Sequence, residues 1–295
     1  MSGAAPREVQ VIWPAGDDGS FPPLDVAARL GGEAHSVDPA SCPRRIPAFP
    51  TEVPFATLAS APAPTPAPEG CLVIGLGGPE LEPVAVDLER EGPHLLVAGG
   101  DRTGRSTALA TCLASARAAD PGARVVVLAP RPSPLRNLPG VVVATTPDEI
   151  NQALSCGTRC TLLVIDDCEA LPPESAFALN DALRSSRTGG LRALVAGRTA
   201  DLLRLYDDWA RYLRSLRCGI LLNPEEADGE LFDVALPRRL PPRVPGRGYL
   251  VRGRKLDAVQ VALPPAPVSA PRLPRHAPVP SRISHRSSVS GERSA

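Results

Sequence analysis

The stretch Gly99-Gly100-Asp101-Arg102-Thr103-Gly104-Arg105-Ser106-Thr107 fits the phosphate-binding pattern G-x-x-x-x-G-K-[ST] at every position but one. In such a loop, successive backbone N–H groups turn inward around phosphate oxygens. The helix that follows aims the positive end of its dipole at the same charge. The Ser106 hydroxyl then stands where a Mg2+ ligand is needed, with the phosphates of the nucleotide supplying further oxygens. The departure is Arg105, which occupies the lysine position. It keeps the positive charge but exchanges a compact ammonium for a wide planar fork, which is not a conservative change at a tight phosphate site. Nucleotide affinity is expected to survive this exchange and catalytic geometry to suffer. A plainer reading is that Arg105 follows the composition of the chain, in which Lys255 is the only lysine.

Farther along, Thr161-Leu162-Leu163-Val164-Ile165-Asp166-Asp167 is an apolar strand ending in two carboxylates. In this Walker B arrangement Asp166 holds the Mg2+ shell, and the next carboxylate polarises the attacking water. That next residue is Asp167, one methylene (~1.5 Å) shorter than Glu. A misplacement of ~1 Å can cost about a hundredfold in rate, so Asp167 is a weakened base. Arg198 closes another strand, after Ala196-Gly197, at the edge where ligands of such sheets bind. It could sense a γ-phosphate or reach a neighbouring subunit, or be a plain surface arginine. Taken together, the two halves of the signature point to an ATP and Mg2+ site. The alternative is two ordinary strand ends with a turn and an acidic pair.

These residues need a sheet to carry them. From His94 onward, short apolar runs alternate with longer helical patterns, which is the signature of a mainly parallel sheet flanked by helices, α/β of the P-loop kind. The strands are expected at Leu95 to Ala98, Val125 to Leu128, Val141 to Ala144, Leu162 to Ile165, Leu191 to Ala196 and Ile220 to Leu222. Helices are expected to begin near Ser106, Pro147, Pro173 and Thr199. The last is drawn as one helix with Leu202, Leu205, Tyr206, Trp209, Leu213 and Leu216 on its apolar face. Arg204, Arg211, Arg214 and Arg217 lie opposite, as a solvated face or a partner contact. Cys71 to Leu76 with Pro83 to Leu88, and Tyr249 to Arg252 with Ala258 to Val261, read as hairpins. The Gly75-Leu76-Gly77-Gly78 stretch is not a dinucleotide fingerprint, because Pro79 and Pro83 follow where a helix is needed.

The 36 prolines gather near both ends of the 295-residue chain. The expected organisation is an amino-terminal extension and linker over 1–66, one folded domain over 67–263, and a disordered Pro/Arg/Ser-rich tail over 264–295. A short strand at Val9 to Trp13 is also expected. His276 and His285 fall in the tail and lack any partner pattern. The formal net charge is zero, so the electrostatic footprint of a dedicated DNA-packaging protein is missing and DNA is not the favoured partner. The seven cysteines lack paired zinc spacing and read as reduced core thiols; Cys156 and Cys160 could meet on a helical turn, with no His nearby. No run approaches the ~20 apolar residues of a membrane span, and the amino terminus lacks the order of a signal peptide, so a cytoplasmic location is expected. Association with a membrane would then run through partners.

The entry Ile74-Gly75-Leu76-Gly77-Gly78, Pro83 to Leu88 and Gly92-Pro93-His94-Leu95-Leu96-Val97-Ala98-Gly99 resembles that of FtsK/SpoIIIE ATPase domains. The likeness is greatest to the carboxyl-terminal domains of actinobacterial type VII secretion ATPases of the EccC kind. It continues through Leu163 to Asp167, Gly219 to Leu222, Pro237 to Pro242 and Gly246 to Val251, and covers about residues 67–263. The resemblance implies a RecA-like P-loop NTPase fold and, through Arg105 and Asp167, a degenerate site that binds nucleotide tightly in a regulatory or substrate-recognition role. It also implies homo-oligomerisation or docking to a larger translocase or secretion ATPase, with a protein substrate. Motors of this class place an arginine of one subunit at the phosphates of the next. Two other readings remain: an active ring that translocates DNA, and a scaffold that binds no nucleotide.

Overall fold

Runs of Val, Leu and Ile that are apolar on both faces form the centre of the sheet, as burial on both sides of a parallel strand requires. The structure is a computed structural model and describes residues 47–60, 71–78, 80–155, 162–189 and 191–265. The strands are β1 (Leu72–Gly77), β2 (Glu82–Val86), β3 (His94–Gly99), β4 (Val125–Leu128), β5 (Val141–Ala144), β6 (Leu162–Ile165), β7 (Arg192–Gly197), β8 (Cys218–Leu222), β9 (Arg247–Arg252) and β10 (Lys255–Val261). They form one sheet in the order β2-β1-β10-β9-β8-β3-β7-β6-β4-β5. The segment from β8 to β5 is parallel throughout. The two hairpins, β1 with β2 and β9 with β10, extend it in antiparallel fashion, joined to each other through β1 and β10.

The expected strands and hairpins from Cys71 onward all find a place in this sheet, β1 and β7 one residue later than expected and β8, β9 and β10 starting two or three residues earlier. Gly75 belongs to β1, and a Cβ there would lie 2.1 Å from the carbonyl oxygen of Gln260 on β10. This glycine serves close strand pairing. The register of β1 slips against β2 between Val73 and Gly75. At the slip the Val73 N–H donates to Ser115 Oγ at 2.7 Å.

The helices are α1 (Phe55–Ser60), α2 (Arg105–Ala119), α3 (Pro147–Ser155), α4 (Ala176–Gly189), α5 (Thr199–Arg204) and α6 (Asp208–Ser215). Helix α2 buries Leu109 and Leu113 against Leu95, Val97, Ile220 and Leu222 on one face of the sheet. The opposite face packs Leu96, Ala98 and Ile165 under Leu179, Leu183, Trp209 and Phe232.

The single helix expected from Thr199 is two. Helix α5 ends at Arg204, and Leu205 is extended at φ −74° and ψ 117°. Tyr206, placed on the apolar face by its spacing, is 74% exposed. The break is satisfied locally, because Arg214 reaches back to donate to the carbonyls of Leu202 (3.1 Å) and Leu205 (2.8 Å). These are carbonyls that a continuous helix would have bonded itself. Arg211 donates to the Tyr206 carbonyl, and Arg217 pairs with Asp233. Three of the four arginines on that face thus hold local structure.

Residues 47–60 lie against the domain. Val53 and Leu58 are buried with Leu76 and Ala262, and Pro54 forms a parallel bridge to Leu263. Cys71, Cys112, Cys168 and Cys218 are free and buried, and burial pushes the thiols of Cys112 and Cys218 up to about 12. Cys42, Cys156, Cys160, His276, His285 and the segment Val9 to Trp13 lie outside the described residues. Among the described residues no cluster of three or more His, Cys, Asp and Glu is placed to hold a metal ion, and no helix is long and apolar enough to cross a membrane.

His94 begins the strand that leads to the phosphate loop. Its Nε2 lies 3.0 Å from the Leu183 carbonyl, and its Nδ1 accepts the Ala193 N–H at 3.1 Å. Both bonds suit the neutral ring, and burial lowers its pKa below the usual histidine value. The unfolded chain therefore takes up a proton that the fold refuses. Stability should be fully present above about pH 6.5 and decline as pH falls through the lower folded pKa. In His94→Gln the acid-side slope of urea midpoint against pH should flatten; an unchanged slope would assign the loss to other groups.

Candidate nucleotide-binding site

The parallel register brings the expected residues to one edge. Ala98 is paired with Gly197, Gly99 with Leu222, Ile165 with Val195 and Leu128 with Ile165. The residues that follow these pairs are the loop 100–104, Arg198, Asn223, Asp166 and the segment leading to Ser133. No strand contributes more than a few site residues, so the register assembles the site.

The loop is braced from within. Thr103, 7% exposed, donates from Oγ1 to the Gly100 carbonyl at 2.9 Å. Arg102 takes a left-handed φ of 58°. Gly104 caps α2 at φ 98°, with no side-chain cap and no acidic residue in the first turn. A Cβ on Gly104 would lie 3.2 Å from the Gly246 nitrogen. The positive φ therefore favours glycine here, and a side chain would also crowd the 244–246 loop. Loop 244–246 is held against the phosphate loop by the Gly246 N–H, which donates to the Thr103 carbonyl at 2.9 Å.

Arg105 turns back across the loop. Its Nη1 donates to the carbonyls of Gly99 and Gly100, each at 2.8 Å, and its Nη2 meets Asp167 Oδ1 at 2.9 Å. The two side chains are only 12% and 18% exposed. Asp167 adopts a left-handed conformation at φ 51°, ψ 55°, and leads into a 3-10 turn, Cys168–Ala170. The planar fork lets one nitrogen take both carbonyls while the other takes the carboxylate; a lysine ammonium has three donors but a single nitrogen from which to reach all three acceptors.

Asp166 is 2% exposed. Its Oδ2 accepts from Ser106 Oγ at 2.8 Å and from Ser133 Oγ at 2.6 Å. Its Oδ1 is buried with no hydrogen-bond partner among the described residues. A carboxyl group with one idle buried oxygen, next to a serine hydroxyl, is a donor set that fits a hard, oxygen-seeking cation such as Mg2+. Ser133 is a site residue that sequence reasoning missed. The signal was there in Pro132-Ser133-Pro134 directly after β4, where Ser133 caps a 3-10 turn with proline at its start.

Arg198 sits at the start of α5 and pairs with Asp101 on the loop at 2.9 Å, its side chain 44% exposed. Arg198, Asp101 and Arg102 line an open polar cavity with Thr199, Asn223 and Arg243. Thr107 lies one residue past Ser106 and lines a different cavity, shared with Gly104 and Gly246. The phosphate loop, Arg105, Ser106, Asp166 and Asp167 are thus in mutual contact, whereas the Arg198 guanidinium joins them through Asp101.

A central parallel sheet with this loop after one strand and paired carboxylates after another is the RecA-like P-loop ATPase fold. Within that class the chain resembles the FtsK-like ATPase domains of type VII secretion proteins. It is 28% identical over 232 residues to the ESX-4 secretion system protein EccC4 of Mycobacterium tuberculosis, a match over 66% of this chain and 18% of that protein. The cytoplasmic domain of EssC superposes with a TM-score of 0.62 at 18% identity, covering 89% of this chain and 57% of that one. Thermomonospora curvata EccC (ATPases 2 and 3), solved in complex with a signal sequence peptide, gives a TM-score of 0.59 at 22% identity, over 76% of this chain and 45% of that one. The chain therefore spans less than two thirds of each of these relatives. No protein-family model matches it.

Removing the Asp167 charge should destabilise the unliganded protein, since Arg105 then keeps only neutral acceptors in a nearly closed site. We expect Asp167→Asn to lower unfolding free energy by about 1–3 kcal/mol in urea titrations. Arg90→Ala, at the exposed Arg90–Asp87 pair, should change it by less than about 0.5 kcal/mol. Equal effects would mean that the Arg105–Asp167 contact carries no weight.

Proposed function

We propose that the chain is an ATP-binding, weakly hydrolytic domain that serves as a regulatory or docking module of a type VII secretion machine. The observation that carries this reading is the engagement of Arg105 with Gly99, Gly100 and Asp167. The cation that should face the phosphates and the carboxylate that should polarise water are spent on each other.

ATP would lie along the N–H groups of residues 100–104 and the amino end of α2, whose first turn offers no competing acidic side chain. Ser106 and Asp166 would hold Mg2+, which when bound offsets phosphate charge. To meet the γ-phosphate, Arg105 has to exchange one anionic partner for another. Its guanidinium can do so while keeping a hold on the loop carbonyls, so binding is favoured over turnover. Asp167, short by one methylene, polarises water poorly even once Arg105 has let it go. Arg198 would reach the γ-phosphate or a neighbouring subunit only after release from Asp101.

The secretion context is supported by the likeness to EccC and EssC domains. For the module itself, docking to a larger secretion ATPase or contact with a protein substrate is the partner class that follows. Formal neutrality speaks against DNA as the primary ligand.

The test is a calorimetric Mg-ATP titration paired with a turnover assay on the wild type, Arg105→Lys, Asp167→Glu and the double variant. Binding with little turnover in the wild type, and a gain of tenfold or more in kcat in the double variant, is the expected result. Brisk wild-type turnover would refute degeneracy, and turnover stimulated by DNA would favour a translocase. Absence of binding in every variant would leave a scaffold. Asp166→Ala should remove the Mg2+ dependence of binding.

A further inference from the structure

Residues 49–53 belong to the Pro-rich amino-terminal part of the chain, yet they lie against the strands that frame the phosphate loop. Arg247, at the start of β9, is 7% exposed. Its Nη2 donates to the carbonyls of Phe49 (3.2 Å) and Pro50 (2.6 Å), and its Nε to Gln260 Oε1 at 3.0 Å. The guanidinium carbon also stands 5.4 Å from the centre of the Phe49 ring. A buried cation whose donors go to backbone carbonyls of a distant segment holds that segment in one place. The backbone repeats the attachment, with the Leu263 N–H donating to the Val53 carbonyl at 2.7 Å.

Between this strap and loop 244–246 is a cavity of about 230 Å³, lined among others by Thr51, Glu52, Gly104, Thr107, Gly246 and Gln260. Its walls are predominantly apolar. It falls below the roughly 300–1,000 Å³ of a pocket for a drug-sized ligand, and so suits a single planar heterocycle. It opens beside Gly104 and Thr107, where the phosphate loop passes into α2. The Gln260 amide is already committed, Nε2 to the Pro245 carbonyl and Oε1 to Arg247. Glu52, an exposed residue of the strap, contributes a carboxylate able to accept from an amino group of a base.

We propose that the strap of residues 49–53 forms one wall of the nucleoside subsite, so that bound purine nucleotide fixes the strap to the domain. This rests on the nucleotide reading of the phosphate loop. By linkage, whatever pulls the strap away weakens nucleotide binding, and nucleotide holds the strap by the same free energy. The site then reports its occupancy to whatever is attached upstream.

The experiment compares Mg-ATP with Mg-tripolyphosphate, which has the phosphates but no base, by calorimetry on the full chain. Thr51→Trp fills the cavity from an exposed position, and Glu52→Ala removes the carboxylate without burden on folding. Thr51→Trp should weaken Mg-ATP about tenfold or more and leave tripolyphosphate within about twofold; Glu52→Ala should act in the same sense, less strongly. Amide exchange over residues 49–55 should slow with Mg-ATP and not with tripolyphosphate. Unchanged Mg-ATP affinity in both variants, or a wild type that prefers ATP no more than tripolyphosphate, overturns the proposal and leaves the phosphate loop reading standing. A wild type that binds neither ligand removes both.

Discussion

A guanidinium 12% exposed inside a glycine loop must find acceptors, and the site is organised around where Arg105 finds them. Stripping water from a cation costs several kcal/mol unless charge and hydrogen bonds replace it. The replacements are two carbonyls of the loop that carries Arg105 and one carboxylate from a strand two positions away in the sheet. One side chain therefore ties loop, helix and Walker B strand together before any ligand arrives. Asp166, a residue away, is turned toward Ser106 and Ser133 and takes no part in that tie. Adjacent carboxylates of one turn thus have separate tasks, one answering a protein cation and one keeping an oxygen idle.

That division depends on the sheet. Parallel strands in register end at the same level, so residues remote in sequence meet at one edge without a long loop to position them. The two hairpins add nothing to the edge directly. They bring β9 beside β8, and with β9 comes loop 244–246, which closes on Thr103 and Gly104.

Much of this could be read from sequence because its determinants are local. A phosphate loop is a contiguous string, and the strand carrying Asp166 and Asp167 is an apolar run with its carboxylates attached. Buried parallel strands announce themselves by composition. What could not be read depends on contacts between distant segments. Nothing around Arg105 states that its partner is Asp167, and nothing around Ser133 states that it faces Asp166. The periodicity from Thr199 to Leu216 is helical in both of its halves. At the break Arg214 and Arg211 take up carbonyls of residues 202, 205 and 206, and the periodicity does not announce either contact. Proline content marks residues 47–60 as connecting chain, but composition is silent on whether Val53 and Leu58 have an apolar seat, which Leu76 and Ala262 provide.

The pairing of Pro54 with Leu263 has a mechanical meaning. The two segments run in the same direction, with Leu263 bonded to the residues on either side of Pro54. Tension that draws the chain before Pro54 one way and the chain after Leu263 the other would load these bonds together, in shear, and not peel them singly. The pull would reach this clasp ahead of the strands behind it. Load between the chain before Pro54 and the chain after Leu263 is thus borne at this clasp, sparing the glycine loop 99–104 behind it.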